Sequence, residues 1–185
     1  MSHRLKSTAS MSAQSVAAAP RKARDRQDDP RLEAARKRLR ESVGQADTLE
    51  AIREIIGNLL GCEEIGLFSL GQANEPRDCG LVWSFGIDPQ EHKTLAAFDR
   101  SALERALQGE IHVTTVAGDG HDHQANRAVR AFIPIRRHGR IVAVLVMVRL
   151  LPQKLGLDEA DINLVNLLSD EAGRLLFDGS ANDNA

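Results

Sequence analysis

An unbroken apolar run near the end of the chain, residues 141–148, limits most strongly what this sequence can fold into. Both of its alternating faces are apolar, with Ile, Ala, Leu and Met on one face and Val at every position of the other. A strand of this kind lies inside a sheet that is covered on both sides. The run follows a strand-like segment, 128–136, and a short turn, 137–140, and it precedes a helical pattern over 156–177. The chain therefore predicts a sheet between two covering layers.

Three shorter strands are predicted upstream, over residues 65–70, 79–85 and 111–116, with one or two short helices between 89 and 107. In the strand 79–85, regular alternation would place Leu81, Trp83 and Phe85 on one face. The order predicts an α+β fold with a central antiparallel sheet of five to six strands. Terminal helices are expected on one face of the sheet, and short helices and loops on the other.

The chain divides into four predicted parts. Residues 1–30 have almost no large apolar side chain and predict a disordered basic tail. Residues 31–44 predict an amphipathic helix, 45–178 the folded domain and 179–185 a second disordered tail. The first helix of the domain is expected to begin with Asp47 as its N-cap.

Composition narrows the class of protein. Residues 1–45 contain eleven Lys and Arg against five Asp and Glu, whereas the remainder contains thirteen against twenty-one, so a basic arm precedes an acidic body. Because aromatic residues do not interleave with the basic ones, we expect no nucleic-acid binding. No apolar run approaches the roughly 18 residues of a membrane helix, so no membrane insertion is expected. Two cysteines, Cys62 and Cys79, make no disulfide framework and fit a reducing, cytoplasmic location.

The final hairpin resembles a known family. Ile-Pro-Ile at residues 133–135, followed by Gly-Arg-Ile-Val-Ala-Val-Leu at 139–145, resembles the paired central strands of the GAF domain family. The resemblance extends over about residues 45–177, and a PAS or roadblock-like module is the alternative with a similar sheet. It implies a ligand pocket beneath the segment 89–126.

Most GAF domains sense or connect rather than catalyse, so the resemblance implies a non-catalytic signal-transduction module. Such a module would bind a small ligand or a signalling partner protein and transmit through its terminal helices. The alternative is a dimerising adaptor with a degenerate, filled pocket.

Aromatic side chains are the first candidates for ligand contact. Trp83 and Phe85 lie near the expected pocket, and Phe132 lies in the first strand of the final hairpin. Arg130 alternates onto the same face as Phe132, where it either reaches solvent at the rim or meets an anionic group. Packing in the core is the competing role for all three aromatic side chains.

A histidine pair in the polar loop is the second candidate. His121 and His123 flank Asp122, and imidazole with carboxylate suits transition metals. Their spacing matches no known structural site, so we expect a solvated loop, no bound metal and no cofactor.

Enzymatic relatives offer little support for catalysis. The free methionine-R-sulfoxide reductases of this family use cysteines in the segment corresponding to 89–126, where this chain has none. The family's cyclic-nucleotide signature is matched by Asp161, but Leu157 replaces its Phe and no Asn-Lys pair precedes it. Neither thiol redox chemistry, cyclic-nucleotide binding nor bilin attachment is therefore expected.

The terminal helices predict a homodimer. Leu32, Leu39 and Val43 form a narrow stripe of the kind that faces a single partner helix. The last helix carries more apolar residues than one face needs, and it supplies the expected partner surface through Leu164, Leu168 and Leu175. In the competing arrangement the first helix folds back on its own domain.

Overall fold

The computed structural model describes residues 29–71, 79–90, 100–113, 131–154 and 156–178. Its helices are α1 (Pro30–Glu41), α2 (Gly44–Glu54), α3 (Arg100–Leu107) and α4 (Glu159–Phe177), and α2 continues into a π-helical turn, Ile55–Leu59. Its strands are β1 (Ile65–Ser69), β2 (Gly80–Phe85), β3 (His112–Val113), β4 (Ala131–Arg137) and β5 (Arg140–Met147). They form one antiparallel sheet in the order β2-β1-β5-β4-β3.

Strand β5 lies at the centre of the sheet, which confirms what its two apolar faces predict. Ala143, Leu145 and Met147 face one side, and Val144 and Val146 face the other, all fully buried. The turn before β5 places His138 and Gly139 at φ angles of 50° and 75°. Two left-handed residues in a row make the type of turn whose twist matches paired strands.

Two apolar layers cover the sheet, as predicted. Helices α1, α2 and α4 pack on the face of Leu145, and we call this side the helix layer. Helix α3 packs on the face of Val144 together with Phe68 and Phe132, and we call this side the α3 layer. Within the described ranges, no helix is both long and apolar enough to cross a bilayer.

A β-bulge in β2 contradicts the expected alternation of that strand. Trp83 pairs with Leu67, but Leu81 pairs with the next residue, Phe68, so that Val82 is the extra residue. The bulge turns Leu81 toward the α3 layer while Trp83 stays in the helix layer. Leu81 and Trp83 therefore do not share a face.

The start of α2 also differs from the prediction. The helix begins at Gly44, and Asp47 lies within its first turn rather than at the N-cap. The Asp47 carboxylate accepts a hydrogen bond from the Val43 backbone N–H at 2.8 Å and another from the Arg38 guanidinium at 2.8 Å. The acidic residue thus stabilises the helix start from within, and the α1–α2 connection is short.

Helix α1 packs on its own chain, in the competing arrangement. Leu32 and Leu39 are buried against α2 and α4, with Ala35 between them. Leu164 and Leu168 are buried in the same layer, so these four leucines do not form the expected dimer surface. The narrow stripe does face helices, but these are α4 and α2 of the same molecule.

The remaining two residues of the expected dimer surface are accessible. Val43 is 83% exposed at the α1–α2 connection, and Leu175 is half-buried near the end of α4. Only this part of the predicted surface is open to a second molecule.

The burial of Leu39 predicts a large loss of stability for Leu39→Ala. Removing a fully buried leucine side chain costs about 2–5 kcal/mol of unfolding free energy. Val43→Ala is the matched control and should cost less than about 0.5 kcal/mol because Val43 faces solvent. Urea unfolding followed by circular dichroism measures both. If the loss for Leu39→Ala depends on protein concentration, α1 packs against a second molecule instead.

Candidate functional site

The α3 layer is an apolar surface packed beneath a short helix. Leu103 and Ala106 of α3 face Phe68 and Phe132 on the sheet, and all four are buried. Gly66 lies under the Phe68 ring, since a Cβ at this position would be 2.8 Å from Phe68 Cε2. The ring therefore occupies the space above β1 that an open pocket would need at this point.

The predicted aromatic contacts lie on opposite sides of the sheet. Phe132 is buried in the α3 layer, with its ring centroid 6.4 Å from that of His112. Trp83 packs partly buried against the helix layer. Phe85 pairs in register with Ile65 and is 42% exposed. The Arg53 guanidinium lies over its ring, with 5.2 Å between Arg53 Cζ and the ring centroid. The three side chains are thus not brought together.

The other predicted contacts, His121, His123 and Arg130, lie outside the described residues. Among the residues that are described, no group of three His, Cys, Asp or Glu side chains could hold a metal ion.

Both cysteines are buried, on opposite sides of the sheet. Cys62 donates its S–H to the carbonyl of Glu64 at 3.3 Å, and burial raises the pKa of its thiol to about 11. Cys79 is fully buried in the α3 layer. A reactive cysteine needs an accessible thiolate, so the position of Cys62 opposes thiol catalysis.

A buried carboxylate anchors the N-terminal end of α1. The carboxylate of Asp161 is fully buried at the start of α4. It forms ion pairs with the Lys154 ammonium at 2.8 Å and with the Arg31 guanidinium at 3.2 Å. It also accepts the Asp158 backbone N–H at 3.0 Å, and Asp158 accepts that of Asp161 in return, which completes a capping box. That hydrogen bond from Asp161 lowers the pKa of Asp158. Asp161 therefore caps the start of α4 and also links α4 to α1.

A second ion cluster holds the other end of α1 to α2. Arg38 donates to Glu54 at 2.7 Å and to Asp47 at 2.8 Å. These hydrogen bonds raise the pKa of Arg38, and the one from Arg38 lowers the pKa of Asp47. Helix α1 is therefore fixed at two points, one beside Leu32 and the other beside Leu39.

Two open grooves flank α1. The groove between α1 and α4 has a volume of about 470 Å³, and its lining includes Arg36, Asn163 and Glu171. The groove between α1 and the end of α2 is smaller, about 190 Å³, and includes Ala34 and Leu59. The larger groove offers charged and amide groups, which suits a protein surface better than an apolar small molecule.

Two side chains that connect distant parts of the fold carry little recognisable signal in the sequence. Lys154 lies in a loop without periodic pattern, and nothing local shows that it reaches Asp161. Arg136 ends an apolar strand, and its charge is the only signal that it has a partner. In the structure it contacts both α4 and the turn after α3.

Comparison with known proteins identifies the architecture. The family model for the GAF domain matches residues 46–176. No curated protein is significantly similar to the chain in sequence.

Solved structures share the fold at low sequence identity. The GAF domain from an Acinetobacter phosphoenolpyruvate-protein phosphotransferase is 18% identical, with a TM-score of 0.59, covering 83% of this chain and 95% of that one. A GAF domain/HD domain protein from Geobacter sulfurreducens is 12% identical, with a TM-score of 0.57. The match covers 76% of this chain and 97% of that one. Residues 122 to 287 of a methyl-accepting chemotaxis protein are 14% identical, with a TM-score of 0.53. The match covers 77% of this chain and 94% of that one.

The raised pKa of Cys62 predicts a sluggish thiol. Relative to the ordinary value of 9.0, a pKa of about 11 lowers the thiolate fraction at neutral pH about a hundredfold. In a Cys79→Ala background, the native protein should therefore react with iodoacetamide far more slowly than the same protein in urea. The rate should rise as pH increases toward 11. Equal rates in the native and unfolded states would show that Cys62 is accessible and would remove this support for a non-catalytic role.

Proposed function

The chain belongs to the GAF domain family, and we propose that it is a non-catalytic, cytoplasmic signal-transduction module. Its α3 layer would receive a small ligand or a partner protein, and its terminal helices would pass on the response. The observation that carries this proposal is the division of the core into two apolar layers by the sheet. In the part of the chain that the structure describes, α3 is the helix that packs on one layer, whereas α1, α2 and α4 pack together on the other.

The structural neighbours support a regulatory role. A chemotaxis protein and the GAF domain of a phosphotransferase share this fold. The buried thiol of Cys62 adds support, because it leaves the chain without an obvious nucleophile at that position. We therefore propose sensing or connection rather than catalysis.

A homodimer remains part of the proposal, but through the outer surface of the helix layer. Helix α1 presents Lys37 and Arg40 to solvent, and Asp170 and Glu171 of α4 lie along the groove beside it. In a two-fold arrangement, the basic surface of one α1 can face the acidic surface of the other molecule's α4. Such contact would leave the buried leucines in place.

A dimerising adaptor is the second candidate function. The Phe68 ring above Gly66 favours it, because this side chain fills space that a bound ligand would otherwise take. In this case the α3 layer would serve only as a core, and binding would occur at the helix layer.

Ligand binding to the α3 layer predicts a response that depends on Phe132 and not on Trp83. Full-length protein would be screened by thermal shift against free amino acids, 2-oxo acids, nucleotides and methionine-R-sulfoxide. A compound that binds the native state raises the melting temperature, and the rise continues with the logarithm of its concentration above the dissociation constant. Phe132→Leu should change the affinity, while Trp83→Leu, on the opposite face, should leave it unchanged. If no compound binds, the adaptor is favoured. A response lost only in Trp83→Leu would contradict the proposed binding face.

The proposed dimer predicts sensitivity to the charge of Glu171. In the proposed two-fold interface, Glu171→Lys would place a positive charge opposite the basic surface of the other molecule's α1, once for each protomer. This repulsion should weaken dimerisation at least about tenfold. Glu110→Lys makes the same charge change on the α3 side and should leave the dimer intact. Light scattering at tens of micromolar measures both variants, and a monomeric wild-type protein would refute the dimer.

A further inference from the structure

Arg136 connects the two sides of the sheet through one side chain. It lies near the end of β4, at a bulge where Val142 of β5 is the unpaired residue. One guanidinium nitrogen, Nη1, donates to Ser169 Oγ of α4 at 2.8 Å and lies 3.7 Å from the Asp170 carboxylate. The other, Nη2, donates to the carbonyl of Gly109, which follows α3. A single planar group therefore contacts α4 and the end of α3 at the same time.

Helix α4 is firmly held at this point. Ser169 is buried, and its hydroxyl donates to the carbonyl of Pro134 at 2.5 Å while it accepts from Arg136. One turn further on, Gly173 lies so close to β4 that a Cβ there would overlap the Arg136 carbonyl oxygen. A displacement of Arg136 must therefore be accommodated by α4.

The Gly109 carbonyl, which accepts the hydrogen bond from Arg136 Nη2, is tied to the end of α3. The Gly109 N–H donates to the carbonyl of Ala106 at 2.9 Å, and the following residue, Glu110, donates to that of Arg105 at 3.0 Å. These bonds close the last turn of α3 and set the direction of the Gly109 carbonyl. Gly109 itself has a φ of 91°, a backbone conformation that favours glycine.

We infer that Arg136 is the positioning residue through which a displacement of α3 reaches α4. The apolar layers lie on opposite faces of the sheet, and this side chain makes a polar connection between them. Arginine suits the position because its rigid fork donates in two directions, which a lysine ammonium on a flexible stem does not reproduce. The signalling meaning of the link rests on the proposed sensory function, but the link itself can be measured without any ligand.

The test is a double-mutant cycle in the full-length protein. Gly109→Ala introduces the disturbance at the α3 end of the contact, where its Cβ would lie 3.0 Å from Arg136 Nη2 and its φ would be strained. Amide hydrogen exchange of residues 166–174 in α4 is the readout, and that of residues 51–56 in α2 corrects for global unfolding. Gly109→Ala should raise exchange in α4 about fivefold beyond this reference, a coupling of about 1 kcal/mol. In an Arg136→Gln background the added effect should fall below about twofold.

Two further backgrounds complete the design. Arg137→Gln removes the neighbouring arginine, which pairs with Asp178 at 2.6 Å, and the response of α4 to Gly109→Ala should persist there. Arg136→Lys keeps the positive charge and should abolish the response, which provides a second variant if Arg136→Gln does not fold. An equal response with and without Arg136, or no response in the wild-type background, would overturn the inference. Neither result would bear on whether the α3 layer binds a ligand, since that is decided by the thermal-shift screen.

Discussion

Strand β5 has no face that tolerates water, and the rest of the molecule is arranged around that constraint. Apolar side chains on both sides of a strand require a covering layer on each side of its sheet. The helix layer meets the requirement on one face, and α3 meets it on the other. Because the sheet separates these layers, events in one reach the other only through strand displacement or around an edge. This geometry suits a domain that receives a signal at one surface and presents it at another.

Charge determines how the helix layer is held together. Leu32 and Leu39 supply apolar contact for α1, while Arg31 and Arg38 fix its two ends to carboxylates. Asp161 is the most demanding of these carboxylates, since a buried charge is stable only when it is paired and hydrogen-bonded. The surroundings of Asp161 satisfy both conditions, since Lys154 and Arg31 both pair with it, and the loss of both cations would leave its buried charge uncompensated. Helix α1 is thereby a fixed part of the domain.

The α3 layer and the Arg136 link bear on different parts of the proposed function. The Phe68 ring above Gly66 reduces the space for a ligand, which favours the adaptor. Arg136 bonds α4 to the turn after α3, an arrangement that an adaptor with an inert core does not need. A partner protein that displaces α3 would use the link as well as a small ligand would. The link therefore supports transmission, whichever kind of molecule binds.

Local patterns in the sequence determined the central hairpin, the succession of helices and strands along the chain and the division into two layers. Each depends on alternation or helical spacing within one segment, which the sequence displays directly. Only the tertiary structure decided which surfaces meet. The bulge at Val82 separates Leu81 from Trp83 because one extra residue reverses a strand's faces, and no local signal marks it. The leucine stripe of α1 predicts a helical partner, yet the same spacing serves a partner within the chain or outside it. Lys154 pairs with Asp161, 7 positions further along the chain, and Arg136 bonds to Ser169, 33 positions further. Neither pair lies within one periodic segment, so sequence periodicity carries no information about it.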